Sequence, residues 1–167
     1  MANSECEVVQ HMKPEISKQL EAILDKRQEK KQAEIQRTSE QQTAEAKNLA
    51  DFQVKKKEVI QPAFQEIVDL YQQRGVRILI LEENEKPHDT GGFSVPNIRL
   101  DMREAYSLTY GGSMRPEFRL SFEKRNRDVS LYTSTQSQSG PAGHVALDDL
   151  TTDWIQSQFV KYQSPSY

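Results

Sequence analysis

Two stretches hold side chains that could do chemistry. In residues 82–89, Glu82, Glu83, Glu85, His88 and Asp89 crowd together. Carboxylates at short spacing could hold a divalent cation, and His88 beside Asp89 could act as an acid–base pair. The spacing follows no known metal loop, and Pro87 with Gly91 and Gly92 marks an exposed turn. A solvated acidic loop explains it without a ligand. In residues 115–127, Arg115, Arg119, Lys124, Arg125 and Arg127 alternate with Phe118 and Phe122, and Tyr132 follows. Cations interleaved with aromatics can bind single-stranded nucleic acid, the rings stacking on bases and the cations meeting phosphates. Here the phenylalanines share a strand face with Leu120, which sends them to a core, and Glu117, Glu123 and Asp128 dilute the charge.

The other candidates are weaker. Lys55, Lys56 and Lys57 could touch a phosphate, but they read better as a solvated helix face, with Asp51 four residues before Lys55 as its ion partner. Cys6 has no basic neighbour to lower its pKa. His11 and His144 have no second ligand near them in sequence. Asp148, Asp149 and Asp153 suit the start of a final helix, where carboxylates oppose the positive dipole end. No phosphate-binding glycine loop, zinc-protease helix, Cys-x-x-Cys or Gly-x-Ser-x-Gly occurs. No catalytic residue, cofactor or metal is expected.

Charge and composition set the class. The net charge is −3. The segment before Gly75 carries twelve Lys and Arg against thirteen Asp and Glu, and the rest ten against twelve. Neither part is basic, so nucleic acid is a poor fit as a partner. One cysteine rules out an internal disulfide framework. With no N-terminal apolar run and no long apolar stretch, the expected setting is cytoplasmic, with no membrane contact.

The elements that would position these residues begin with a helix over residues 14–74. No Gly or Pro interrupts residues 15–61, and Ala, Glu, Gln, Lys and Leu dominate. Ile16, Leu20, Ile23 and Leu24 form one short apolar stripe; Leu49, Phe52, Val59 and Ala63 form another, with Lys56 intruding. Between them only Ile35 is apolar in that register. The pattern is coiled-coil-like but weak. A helical hairpin broken near Ser39, where Ser39 with Gln42 and Thr38 with Gln41 have capping-box spacing, is the alternative. Pro62 can kink the helix or start a new one, and Gly75 closes it.

Residues 76–81 are apolar on both faces, so the strand needs cover on both sides. Residues 93–103 alternate, with Ile98, Leu100 and Met102 facing one way. Tyr106, Leu108 and Tyr110 repeat the pattern; so do Phe118, Leu120 and Phe122, then Val129 and Leu131. Gly111-Gly112 and Asn126-Arg127-Asp128 are turn signals. Residues 133–143 read as a mobile loop, residues 144–147 as a short last strand. Thr151 or Thr152 can cap a final helix with Trp154, Ile155, Phe159 and Tyr162 on one face.

The expected fold is α+β: a flexible start over residues 1–13, a long polar oligomerisation helix over 14–61, and a head over 62–167. The head is a four- to five-stranded antiparallel meander closed by a C-terminal helix. The expected function is a non-enzymatic assembly protein. Its helix pairs with a second copy through Leu49, Phe52 and Val59, giving an elongated homodimer or larger oligomer, and its head docks an unidentified protein. A nucleic-acid module using residues 115–127 is the first rival, and a metal-dependent enzyme using residues 82–89 the second.

Overall fold

From Glu15 onward the chain has high helix propensity and no breaker, and the computed structural model carries α1 unbroken over Pro14–Lys55. The structure describes residues 12–105, 115–135 and 138–164. Cys6, His11, the Tyr106, Leu108 and Tyr110 pattern and the Gly111-Gly112 turn lie outside them. The expected alternative, a hairpin broken near Ser39, is not adopted. Thr38, one of the two expected caps, bonds backward instead, its Oγ1 donating to the Glu34 carbonyl at 2.9 Å, and the Ser39 carbonyl accepts from Thr43 Oγ1 at 2.9 Å within the continuous helix.

A wide π turn follows at Lys56–Ile60, then α2 over Gln61–Gln72. Pro62, which has no N–H for the carbonyl one turn back, enters at the start of α2. The wide turn has a packing consequence. Phe52, Lys56, Ile60 and Phe64 recur every four residues, and all four are buried. At about 3.6 residues per turn such a row drifts around the axis, and a turn of larger period takes up the surplus. α2 ends in a Schellman motif: Gly75, at φ 76°, donates to Gln72 and Val76 to Tyr71.

Five antiparallel strands follow: β1 Leu79–Glu83, β2 Asn97–Asp101, β3 Glu117–Glu123, β4 Asp128–Ser134 and β5 Ser139–Ala146. They pair in chain order. β1 starts three residues later than expected because the N–H of Val76 is used in closing α2. β2 starts four residues after Phe93, since Pro96 cannot donate to a ladder. The expected mobile loop over residues 133–143 is largely strand. β4 runs to Ser134, and β5 carries Gly140, Pro141 and Gly143, with a register irregularity at Leu131/Tyr132. An outermost strand tolerates this composition because one side of its backbone needs no partner. A short 3₁₀ turn, Leu147–Asp149, leads to α3, Thr152–Gln163. Thr151 caps α3, its hydroxyl accepting the Trp154 N–H.

The chain divides into two compact units, Met1–Thr43 and Ala44–Tyr167. The second starts well before the expected boundary at residue 62, because Phe52, Lys56 and Ile60 belong to its core. One sheet face supplies Ile98, Leu100, Phe118, Leu120, Phe122, Val129 and Leu131, all fully or nearly fully buried. Phe64, Ile67, Ile155 and Phe159 join them from the helices. Phe118 is the hub of the aromatic packing, with edge contacts to Phe64 and Phe159. The expected face of the last helix is borne out: Ile155 and Phe159 are buried, and Trp154 and Tyr162 pack against the core.

Candidate functional site

β1 and the loop after it send the three glutamates to different partners. Successive strand residues face opposite ways. Glu82 turns toward the helices, where Lys56 Nζ donates to it at 2.9 Å and Gln61 Nε2 also donates. Glu83 turns to the other face and takes Arg99 Nη1 at 2.9 Å and Asn97 Nδ2 at 3.2 Å. Glu85 holds Lys124. The hydrogen bond from Lys56 keeps the Glu82 carboxyl below its ordinary pKa, and that from Arg99 does the same for Glu83. His88 lies in the exposed loop, its backbone N–H bonded to the Gly92 carbonyl. Among the described residues, no three His, Cys, Asp or Glu side chains gather where they could hold a metal ion.

Lys56 departs from the solvated-face reading of the lysine run. It is buried, with a side chain 6% exposed, and Glu82 is its counter-charge. Lys55 donates to the Leu150 carbonyl at 3.2 Å. Asp51, expected to pair with Lys55, pairs with Arg127.

Four of the five cations in the basic stretch, Arg119, Lys124, Arg125 and Arg127, meet carboxylates within the chain. Arg119 Nη1 meets Glu117 at 3.1 Å, and its guanidinium lies 4.5 Å from the centre of the Tyr132 ring. Lys124 pairs with Glu85 and Glu45 and sits 5.1 Å over Phe93. Its ammonium is held above the ordinary lysine range, first by the hydrogen bond to Glu85. Arg125 Nε reaches Glu45 at 3.3 Å. Arg127 is the most elaborate: Nη1 donates to Asn48 Oδ1 at 2.7 Å and Asp51 Oδ2 at 2.8 Å, and Nη2 to Asp148 Oδ1 at 2.8 Å. The two carboxylates raise its pKa further. Its backbone sits at φ 57°, a left-handed conformation, where the 124–127 turn enters β4. Arg115 is exposed. Phe118 and Phe122 are buried, as their alternation with Leu120 implied, so neither can stack on a base.

The three residues expected to join two helices pack within the chain. Phe52 is 1% exposed and its ring stacks on Phe122; Leu49 and Val59 lie against the same core. An apolar stripe at helical spacing serves a sheet as well as a second helix, and here the sheet takes it. No family model, curated protein or solved structure matches the chain.

Two surfaces stand out among the described residues. One is the first apolar stripe of α1, with Ile16, Leu20, Ile23 and Leu24 each more than 40% exposed. The other is the open face of the sheet. There Arg99 bridges Glu83 at 2.9 Å and Glu117 at 3.6 Å, Glu117 holds Arg119, and Arg119 covers Tyr132. Leu79 and Leu81 of β1 lie half-buried on that face. Sequence reasoning offered Arg119 as a possible nucleic-acid contact, took Glu117 only as a diluting charge, and gave Arg99 no role. The cross-strand register Arg99↔Arg119↔Tyr132 was the missing link, and alternation alone does not supply it. This face carries a row of ion pairs with two half-buried leucines at one edge.

Proposed function

We propose that the chain is a non-enzymatic assembly protein. It self-associates through the N-terminal stripe of α1, and its α+β head docks a protein partner. The observation that carries this is the exposure of Ile16, Leu20, Ile23 and Leu24 on α1, which has no buried residue before Phe52 among those described. A helical stretch that buries nothing is marginal in water. A second copy of the same stripe would bury those side chains at coiled-coil spacing. The contact is thus moved from Leu49, Phe52 and Val59, which pack in the core, to the exposed stripe Ile16, Leu20, Ile23 and Leu24. The internal pairing of Arg119, Lys124, Arg125 and Arg127 weighs against the nucleic-acid reading. Among the described residues no helix is long and apolar enough to cross a membrane. A cytoplasmic setting is part of the proposal, supported by the single cysteine.

The test is light scattering on the full chain from micromolar concentration upward. A dimer or larger mass is expected, falling toward the monomer with Leu20→Asp or Ile23→Asp while the thermal unfolding of the head is kept. A monomer mass at every concentration overturns the proposal.

A further inference from the structure

The two edges of the sheet are built differently. β5 carries Pro141, Gly140 and Gly143 and a register irregularity with β4, features that discourage pairing with another chain. β1, the opposite edge, has no proline, bulge or lysine within Leu79–Glu83. Among the described residues, no backbone group outside the sheet bonds to it. Its open face reads, at alternate positions, Leu79, Leu81 and Glu83, and the same alternation carried two residues ahead of the strand reaches Arg77, which is exposed, while the two leucines are half-buried. That order is self-complementary: cation, apolar, apolar, anion.

We propose that β1 pairs antiparallel with β1 of a second copy, about a two-fold axis at Ile80. This deepens the self-association proposed above and rests on it. With the axis at Ile80, Leu79 faces Leu81 of the other copy, and Arg77 faces its Glu83. Each contact is made twice, as a two-fold interface requires. Four leucines then form one apolar cluster flanked by two ion pairs, an arrangement that stabilises neighbouring strands. Shifting the axis to Leu81 would set Leu79 against Glu83 and Arg77 against Glu85, whose side chain is 14% exposed and held by Lys124, whereas Glu83, though bonded to Arg99, is 51% exposed and open to a second cation. Shifting it to Leu79 would leave Arg77 facing Leu81. The charges therefore select the register. The pairing also gives the half-buried leucines of β1 a neighbouring strand on the side away from β2.

The experiment follows the mass of the full chain by sedimentation equilibrium. Arg77→Glu alone and Glu83→Arg alone are each expected to weaken association by about tenfold or more, since each sets like charges opposite one another twice. Mixing the two variants restores it. The introduced glutamate of one then faces the introduced arginine of the other, and the Glu83 and Arg77 that each retains still face one another. Glu83→Arg also sets a cation beside Arg99, so a second measurement avoids that position. In a Cys6→Ser chain, Leu79→Cys mixed with Leu81→Cys forms a disulfide-linked pair on oxidation, and Leu79→Cys alone does not. No restoration on mixing, or no cross-link in the mixture, overturns the pairing. An oligomer indifferent to Arg77→Glu but dissociated by Ile23→Asp overturns this inference and keeps the helix contact. A wild-type monomer at every concentration overturns both.

Discussion

Phe52 lies flat on Phe122, ring centroids 4.5 Å apart and planes 3° from parallel. The last turns of α1 are thereby tied to the third strand of the sheet. Phe52→Ala is expected to cost about 3–5 kcal/mol, the range for emptying a buried aromatic site. Urea unfolding measures it. Phe52→Leu, which keeps most of the volume, is expected to cost less than half as much. A loss below about 1 kcal/mol for the alanine variant would show that the ring is not packed as described.

Lys56 and Glu82 give a pH-dependent prediction. The folded Glu82 carboxyl has a pKa below its ordinary value of 4.5. Its contribution is therefore fully present above the ordinary carboxylate range and is lost as pH falls through the folded pKa. Glu82→Gln is expected to lower stability at neutral pH by about 1–3 kcal/mol, since it leaves the buried Lys56 ammonium without its counter-charge. It is also expected to flatten the decline of stability below about pH 5. Denaturant titrations at a series of pH values test both. An unchanged acid profile would contradict the assignment.

Arg127 combines strained backbone with a triple side-chain anchor, and the two can be separated. Arg127→Ala loses the bonds to Asn48, Asp51 and Asp148 and keeps a left-handed backbone. Arg127→Gly loses the same bonds but accepts that backbone freely. Glycine is expected to be the more stable variant by about 1 kcal/mol, with both below wild type. Equal stability would mean that the turn relaxes once the side chain is gone.

The neutralised basic stretch predicts a negative result with nucleic acid. Binding a phosphate would require Arg119, Lys124 or Arg127 to give up a carboxylate within the same chain. Labelled single- and double-stranded oligonucleotides at low salt are expected to show no saturable binding. Binding that weakens steeply with salt and is lost in Arg119→Glu would reverse this reading.

What could be read in the sequence was whatever repeats. Ile98, Leu100 and Met102, like Phe118, Leu120 and Phe122, announced their buried face because strand side chains alternate with period two. The last helix announced both its cap and its apolar face. What could not be read depends on distant partners. Nothing near Lys56 points to Glu82, 26 residues on, although its place midway between Phe52 and Ile60 was a usable sign of burial. Arg127 finds Asp51 from 76 residues away. Only the end of β5 was legible, as the short strand expected at residues 144–147; its first half escaped notice because an edge strand of Ser, Gly and Pro is held by backbone bonds, which leave no side-chain pattern. Leu49, Phe52 and Val59 were legible as a contact face, but their spacing does not say whether a second copy or the chain's own sheet receives it.

The wide turn at Lys56–Ile60 also makes chain length part of the code. Phe52 and Ile60 are eight positions apart, where two ordinary α turns take about seven. The surplus position bulges on the outward side, at exposed Lys57 and Glu58. Deleting Lys57 would return the helix to uniform pitch with Phe52 and Ile60 still in phase. The same deletion between Ile60 and Phe64 has no bulge to absorb it. It would rotate everything upstream by about 100° and carry Phe52 off Phe122. A scan of single-codon deletions along this helix would thus show a tolerant notch at the wide turn and sharp intolerance one turn later.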